Sequence, residues 1–427
     1  MKYSVDTYRL YQDESLFSHA VRIHVRMKEP VDMNALKKSV NTAIRRYPYF
    51  AVRVTVDEDG GYVLVHNEKE VVVIPTEEKL PKLGSSRIND HLLFVDCEGK
   101  DIFFNISHAM CGGRGFLPWL MTNVYQYVVE RYRVHPNAPG IRKVGSALLP
   151  GETEEPSMDN LTSDEPIYRR KSVKAPILAW DYLNGLVNPL KRKPNYLVFE
   201  LDQEGLMRAV RELDSSVISF FFMIFARILD QVLPEKNRTI VGEAAHNPRE
   251  SMGLPHSHSD FLSHVYVDFD RDRLRGDLTR LGTMTRGQII LQTDPTVSHE
   301  EVRRLFTLYE EIDQQHGLRN KRKYMAKHSL STGKDVQHGS FILNYTGQMD
   351  WGEVADYVDF YAFIIEGHYT IEITALADRV FVGLMQLVRT DRYENAFMAE
   401  MERFGIPCKV HGPYPKRLMK HELPHST

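Results

Sequence analysis

The stretch FFNISHAMCGGRGF, residues 103–116, decides how this chain is read. The residues from Asp101 to Ile106 read as a strand that ends one position before Ser107-His108. Small residues follow, Gly112, Gly113 and Gly115, and then FLPWLMTNVYQYVVERY, which reads as a strongly amphipathic helix. A histidine at a strand end, facing a cleft, is well placed for proton transfer, and the glycines let a substrate or cofactor come close to the backbone. The same local pattern also fits a buried structural histidine beside a tight turn, so both readings stand at this point.

Upstream, Phe17 to Met27 mixes β-branched and polar residues at period two and reads as a strand. Asp32 then stands where an N-cap would, before MNALKKSVNTAIRRYP, in which Leu36, Val40, Ala43 and Ile44 share one helical face and Pro48 ends the run. Phe50 to Thr55 and Tyr62 to His66 flank the DEDGG turn as a hairpin. His91 to Cys97 and Asp101 to Ile106 form a second strand pair around Glu98–Lys100.

Downstream, residues from about 136 to 194 are rich in Pro, Gly, Ser and acidic residues, as in LPGETEEPSMDNLTSDEP, and read as a connection with a short helix in ILAWDYLNGLV. A second strand–helix series then begins. Strands are expected at Tyr196–Leu201, Thr239–Ala244, Ser263–Asp268, Ser340–Asn344, Ala362–Ile365, Tyr369–Leu376 and Arg379–Val388. Helices are expected in LDQEGLMRAVREL behind an Asp202 cap, at Val217–Val232, at about 270–288 and 299–315, and in YENAFMAEMERFG. The expected organisation is an α/β (α+β) chain of two related lobes, residues 1–150 and 195–427, joined by 151–194.

The motif SHAMCGG, residues 107–113, resembles the His-His-x-x-x-Asp-Gly motif shared by condensation domains, alcohol acetyltransferases and chloramphenicol acetyltransferase. The second His of that motif, the base of the family, matches His108, and its final Gly matches Gly113. Ser107 stands for the first His. Gly112 stands for the Asp, which in the family pairs with an Arg and holds the loop; Arg114 carries the opposite charge and does not replace it. RYPYFAVRV is similar to the family's opening, VGEAAHNPRESMG to its Asn-x-Arg segment through Asn247 and Arg249, and FILNYTGQM to its late Asn-Tyr-x-Gly through Asn344 and Gly347.

The resemblance implies two chloramphenicol-acetyltransferase-like lobes, each a mostly antiparallel or mixed sheet with helices, around a central channel. It implies acyl transfer from a thioester, acyl-CoA or an acyl carrier protein, to a small-molecule alcohol or amine, with His108 as general base and no bound cofactor. Oxyanion and loop candidates are Gly112, Gly113, Asn344 and Tyr345; Asn344 reads more readily as a turn residue. Phe220, Phe221 and Phe222 fit either the channel wall or a core helix, the core being the simpler reading. Two other activities stay open: a stand-alone amide-forming condensation enzyme using carrier-bound substrates, and a catalytically silent scaffold of the same fold.

Several other groups compete for chemistry. Cys111, three residues after His108, would suit a Cys–His nucleophile, but the resemblance makes it a spacer. HSHSDFLSH, with His256, His258, Asp260 and His264, and His246 upstream, is the best metal candidate and would support a hydrolase; after Gly253 and Pro255 it reads rather as a surface polar loop, and no metal is expected. The basic run holding Arg319, Lys321, Arg322 and Lys323 suits the phosphates of coenzyme A or the acidic face of a carrier, and Lys191, Arg192 and Lys193 form a weaker patch.

Composition excludes much else. The 427 residues are 42% hydrophobic and 26% charged, an ordinary globular balance, and the net charge of −3 gives no general attraction to nucleic acid. Three scattered cysteines suggest no disulfide framework, and the opening MKYSVDTYRLYQDES lacks an apolar h-region, so a cytoplasmic location is expected. Val217–Ile228 is too short to span a bilayer. A two-lobed chain forms its channel alone, so a monomer is the expectation.

Overall fold

The computed structural model describes residues 5–12, 19–175, 192–233, 238–328, 339–367 and 369–424. Its strands are β1 (Ala20–Met27), β2 (Val52–Val56), β3 (Tyr62–His66), β4 (Val73–Pro75), β5 (Leu93–Glu98), β6 (Asp101–Ser107), β7 (Arg192–Asp202), β8 (Ile240–His246), β9 (Ser263–Phe269), β10 (Phe341–Gln348), β11 (Val358–Ile364), β12 (Thr370–Leu376), β13 (Arg379–Val388) and β14 (Cys408–Pro415). Its α-helices are α1 (Met33–Ala43), α2 (Gly113–Tyr132), α3 (Gln203–Glu212), α4 (Val217–Val232), α5 (Arg271–Leu274), α6 (Leu278–Thr293), α7 (Pro295–Asp313), α8 (Leu318–His328) and α9 (Arg392–Arg403).

Two sheets carry the fold. The first has the order β11-β1-β6-β5-β4 and the second β14-β7-β13-β12-β10-β8-β9, while β2 and β3 form a separate hairpin. The second half lends β11 to the first sheet, where it lies antiparallel to β1 from Arg22↔Ile364 to Met27↔Val358. That exchange stitches the halves together through backbone hydrogen bonds.

Each sheet has its own apolar core. Val21, Ile23, Val25, Phe104 and Ile106 pack with Trp119, Leu120 and Val124 of α2 in the first. Phe199, Ile371, Ile373 and Val382 pack with Phe220, Phe221, Phe222 and Phe225 of α4 in the second, so the three consecutive phenylalanines are core residues. A smaller cluster joins Tyr8, Tyr11, Tyr62, Ala109, Leu254, Phe261, Val302, Phe306 and Tyr309, uniting distant segments beside His108.

The differences from expectation have physical reasons. Helix α2 is not an amphipathic surface helix: Phe116 and Leu117 are buried, and so is every residue from Trp119 to Val124. The helices expected at 270–288 and 299–315 are α6 and α7, which nearly abut. Apolar spacing locates their faces, whereas the caps set their ends: Asp277 accepts from the Thr279 and Arg280 amides, and Asp294 from Thr296 beside Pro295 at the first helical position. Strand β14 was hidden by HGPYP, because Pro and Gly are tolerated at a sheet edge with a register shift between His411 and Tyr414. The helix expected in ILAWDYLNGLV lies outside the described residues. Among the described residues, no single helix is long and apolar enough to cross a membrane.

Gly242 on β8 gives a direct test of the second core. A Cβ there would stand 2.4 Å from Phe222 Cδ1 and 2.8 Å from Phe341 Cζ. Gly242→Ala is expected to lower unfolding stability by about 1–3 kcal/mol through overpacking. Denaturant titration checks this, and an unchanged midpoint would contradict the packing described.

Candidate active site

Strand β6 ends at Ser107, and its pairing with β1 continues one step further: the His108 amide donates to the His19 carbonyl at 2.7 Å. Ser107 is buried, its hydroxyl accepting from the Ala109 amide at 3.1 Å and lying 2.7 Å from His421 Nε2. A tight turn then leads to Gly112, the N-cap of α2. Both backbone anchors fix where the His108 ring leaves the sheet. Its side chain remains 25% exposed, enough to present one edge to a ligand.

The ring faces Asp260. His108 Nδ1 lies 3.7 Å from Asp260 Oδ2, and the Asp260 side chain is fully buried. Three groups place that carboxylate. Arg9, on the turn Val5–Tyr11, donates from Nη2 to Oδ2. The Asp260 amide donates to Asp6 Oδ1 at 2.7 Å. Arg249, buried beneath the loop, donates to the carbonyls of Ser257 and Ser259 and to Asn247 Oδ1, so the loop is tied down just before Asp260.

The Val5–Tyr11 turn is in turn held by tyrosines. Tyr8 stacks on Tyr309 with centroids 4.1 Å apart and donates to Asp313, while Tyr11 Oη accepts from the Tyr62 amide at 2.9 Å. On the other side, Arg46 and Tyr49 of the RYPY segment both bind the buried Glu152 carboxylate. The Glu152 carbonyl receives the His258 amide, and His258 Nδ1 lies 2.9 Å from it. Burial alone would raise Glu152, but Arg46, Tyr49, the Leu149 amide and Arg142 hold it down to about 2. The expected connection is thus anchored at its start.

Glycines let the loop reach the helix. A Cβ on Gly112 would stand 2.5 Å from Asp260 Oδ1, and one on Gly115 would stand 2.4 Å from the His258 carbonyl oxygen. Gly113, between them, has nothing within 4 Å on its Cβ side. Of the three, two make room for the loop and one borders open space.

The electrostatics favour a neutral imidazole beside an ionised carboxylate. Burial and the Arg9 charge lower His108 to about 4, with Asp260 opposing them. At an effective dielectric near 20, an imidazolium and a carboxylate at this separation attract by about 4 kcal/mol. The Arg9 charge acts on the ring in the opposite sense and outweighs that attraction. For Asp260, burial acts upward, but Arg9, His108 and Arg249 hold it below the usual carboxylate range. Asp6, buried beside that charge, is pushed well above it.

The remaining candidates are distributed as follows. Cys111 is fully buried, and burial with the nearby carboxylates pushes its thiol well up, so it stays protonated rather than forming a nucleophilic thiolate. Asn344 is spent inside the second sheet: Nδ2 donates to Glu372 Oε1 at 2.7 Å, and Oδ1 accepts from the Ala245 amide at 3.2 Å. Tyr345 is half-buried against the second core. Arg114 bridges the lobes, donating to the Thr346 carbonyl at 3.2 Å. Lys321 is buried and caps α7, donating to the Ile312 and Asp313 carbonyls, while Arg322 donates to Tyr62 Oη. Arg319 and Lys323 stay exposed on α8, and Lys193 is exposed at the start of β7; Lys191 lies outside the described residues.

HSHSDFLSH is a buried structural loop running into β9 rather than a surface loop. His258 goes to Glu152 and packs against Tyr49 with the rings tilted, His264 pairs with Glu301, His256 is exposed, and Asp260 turns to His108. Among the described residues, no three His, Cys, Asp or Glu side chains converge as metal ligands. Sequence reading passed over Asp260 as a partner of His108, and Arg9 altogether; nothing in local spacing connects residues 9, 108 and 260.

No protein-family model matches this chain, and no curated protein matches its sequence. Solved structures do match over nearly its whole length. F. graminearum TRI101, complexed with coenzyme A and T-2 mycotoxin, aligns over 96% of this chain and 100% of its own at 12% identity, with a TM-score of 0.58. The TRI3 trichothecene 15-O-acetyltransferase from Fusarium sporotrichioides aligns over 94% of both chains at 9% identity and 0.58. The first condensation domain of the CDA synthetase aligns over 95% of this chain and 93% of its own at 12% identity and 0.50. At such identities the likeness establishes the fold: this chain has the two-lobed chloramphenicol-acetyltransferase-like fold of CoA-dependent acyltransferases and condensation domains.

Proposed function

We propose that the protein transfers an acyl group from a thioester, acyl-CoA or acyl carrier protein, to an alcohol or amine, with His108 as general base. The observation that carries this is the setting of His108. It is a neutral, quarter-exposed imidazole at a strand end, its Nδ1 facing a buried carboxylate. With Nδ1 protonated towards Asp260, Nε2 carries the lone pair. The acceptor's O–H or N–H proton passes to Nε2 as its oxygen or nitrogen bonds to the thioester carbonyl carbon. The C–S bond then breaks, and the departing sulfur takes the proton back from Nε2. Donors for the oxyanion come best from the free amides at the start of α2, at Gly113. The exposed Arg319 and Lys323 offer charge for a phosphate-bearing donor. A cytoplasmic setting fits Cys97, Cys111 and Cys408, which are free thiols.

His108→Ala, incubated with a panel of acyl-CoA donors and mixed alcohol and amine acceptors, is expected to lose acceptor-dependent thiol release by about 10²–10⁴-fold. Free thiol and product mass are measured together. Release that survives in the variant removes His108 from the mechanism. Silence of the wild type with CoA donors moves the assay to acylated carrier protein, and silence there too rejects acyl transfer.

The depressed His108 value also fixes a pH profile. The base is lost only when His108 is protonated, so kcat/KM should stay level from about pH 8 to 5 and fall towards tenfold per unit below about pH 4. Product formation measured by mass across that range checks it. A fall centred at the ordinary histidine value of 6.5 would mean that the ring is not held neutral as described.

A further inference from the structure

We infer that Asp260, delivered from the loop between β8 and β9, is the positioning carboxylate of His108, and that Gly112 is glycine because that carboxylate occupies the space its side chain would fill. This rests on the acyl-transfer reading only for its kinetic arm.

Four observations converge. Asp260 Oδ2 stands 3.7 Å from His108 Nδ1, within a small shift of a hydrogen bond. The Asp260 side chain is completely buried, a costly placement that a surface polar loop does not require. Its other oxygen, Oδ1, has no hydrogen-bond partner among the described residues and lies 2.5 Å from the place of a Gly112 Cβ. The loop is anchored on both sides of the site, by Arg249 within the loop and by Arg9 and Asp6 from the N-terminal turn. Charged and titratable groups around the ring are Arg9 and Asp6 on that turn, Asp260 and Arg249 on the loop side, and Cys111 in the ring's own turn.

The chemistry follows from the geometry. When Nε2 accepts a proton, the ring becomes an imidazolium whose Nδ1–H is already aimed at Asp260, and the carboxylate stabilises that charge and keeps the ring from rotating. A residue that does this acts through His108 and touches no substrate. The SHAMCGG turn has no carboxylate of its own, so the function is supplied from a site 148 positions later, counting from Gly112 to Asp260.

The test moves the carboxylate across the contact. Asp260→Asn is expected to lower kcat by about 100-fold with KM for acyl-CoA within about threefold, and to lower the His108 pKa read by NMR of labelled imidazoles. Because that variant leaves Arg9 without its partner and risks misfolding, two double variants carry the decision. Gly112→Asp/Asp260→Gly restores a carboxylate from the other side of the gap, and Gly112→Ala/Asp260→Gly fills the same space without one. The first is expected to be at least about tenfold more active than the second and to show a higher His108 pKa. Equal activity and equal pKa in the two doubles overturn the inference. If the wild type transfers no acyl group from any donor, acyl transfer fails as a function, and the titration alone decides: a higher pKa in the Asp-bearing double upholds the Asp260–His108 coupling, and equal values reject it.

Discussion

A charge removed from water is the constraint on which the centre of this molecule depends. Placing a carboxylate in a protein interior costs several kcal/mol unless its oxygens are met by cations and donors. Asp260 is buried, and what meets it comes from far along the chain, Arg9 from the first turn and His108 from the end of β6, while Arg249 ties down the loop that carries it. None of these segments can settle alone. The turn Val5–Tyr11 needs Tyr62, Tyr309 and Asp313 to hold it, and the loop needs Glu152, which needs Arg46 and Tyr49. The buried charge therefore makes the order of the site a property of the whole chain.

Arg9 has two opposite effects, and their balance sets the state of the histidine. It holds Asp260 ionised, which favours a protonated His108 nearby, yet its own positive charge and the dryness of the site disfavour one. Dryness wins, so the resting ring is neutral. A carboxylate already neutralised by a guanidinium orients a ring without forcing a proton onto it. Direct pairing of Asp260 with His108 alone would have pushed the histidine upward instead, as the Glu301 carboxylate does to His264, held up to about 9 despite its burial.

Much of the fold was legible because it is written in local rules. Strand and helix positions followed from period-two and period-3.6 patterns and from caps such as Asp32 and Asp202, both of which accept hydrogen bonds from their own helices. What escaped depends on contacts between remote segments. Helix α2 looked amphipathic because its polar residues, Asn123 and Thr122 among them, are buried and bonded to carbonyls of its own turns and of Arg142. Lys321 looked like part of a binding patch because composition cannot reveal that its ammonium is spent on the end of α7. The position of His108 was readable from the strand end, the glycines and the motif. Its partner was not, since Asp260 sat inside a histidine-rich run that read as a surface polar loop.

The three glycines after His108 show why a motif and a site are different things. Read along the sequence, Gly112, Gly113 and Gly115 are one flexible patch. In space, Gly112 and Gly115 are the floor on which residues 258–260 rest, with the carbonyl of His258 and the carboxylate of Asp260 closer than any Cβ would permit. A larger residue at either position would lift the loop and withdraw the carboxylate from His108. The volume beside Gly112 is filled by the Asp260 carboxylate, contributed by a different stretch of chain. Geometry thus puts beside the imidazole a carboxylate that the residues next to it in sequence do not carry.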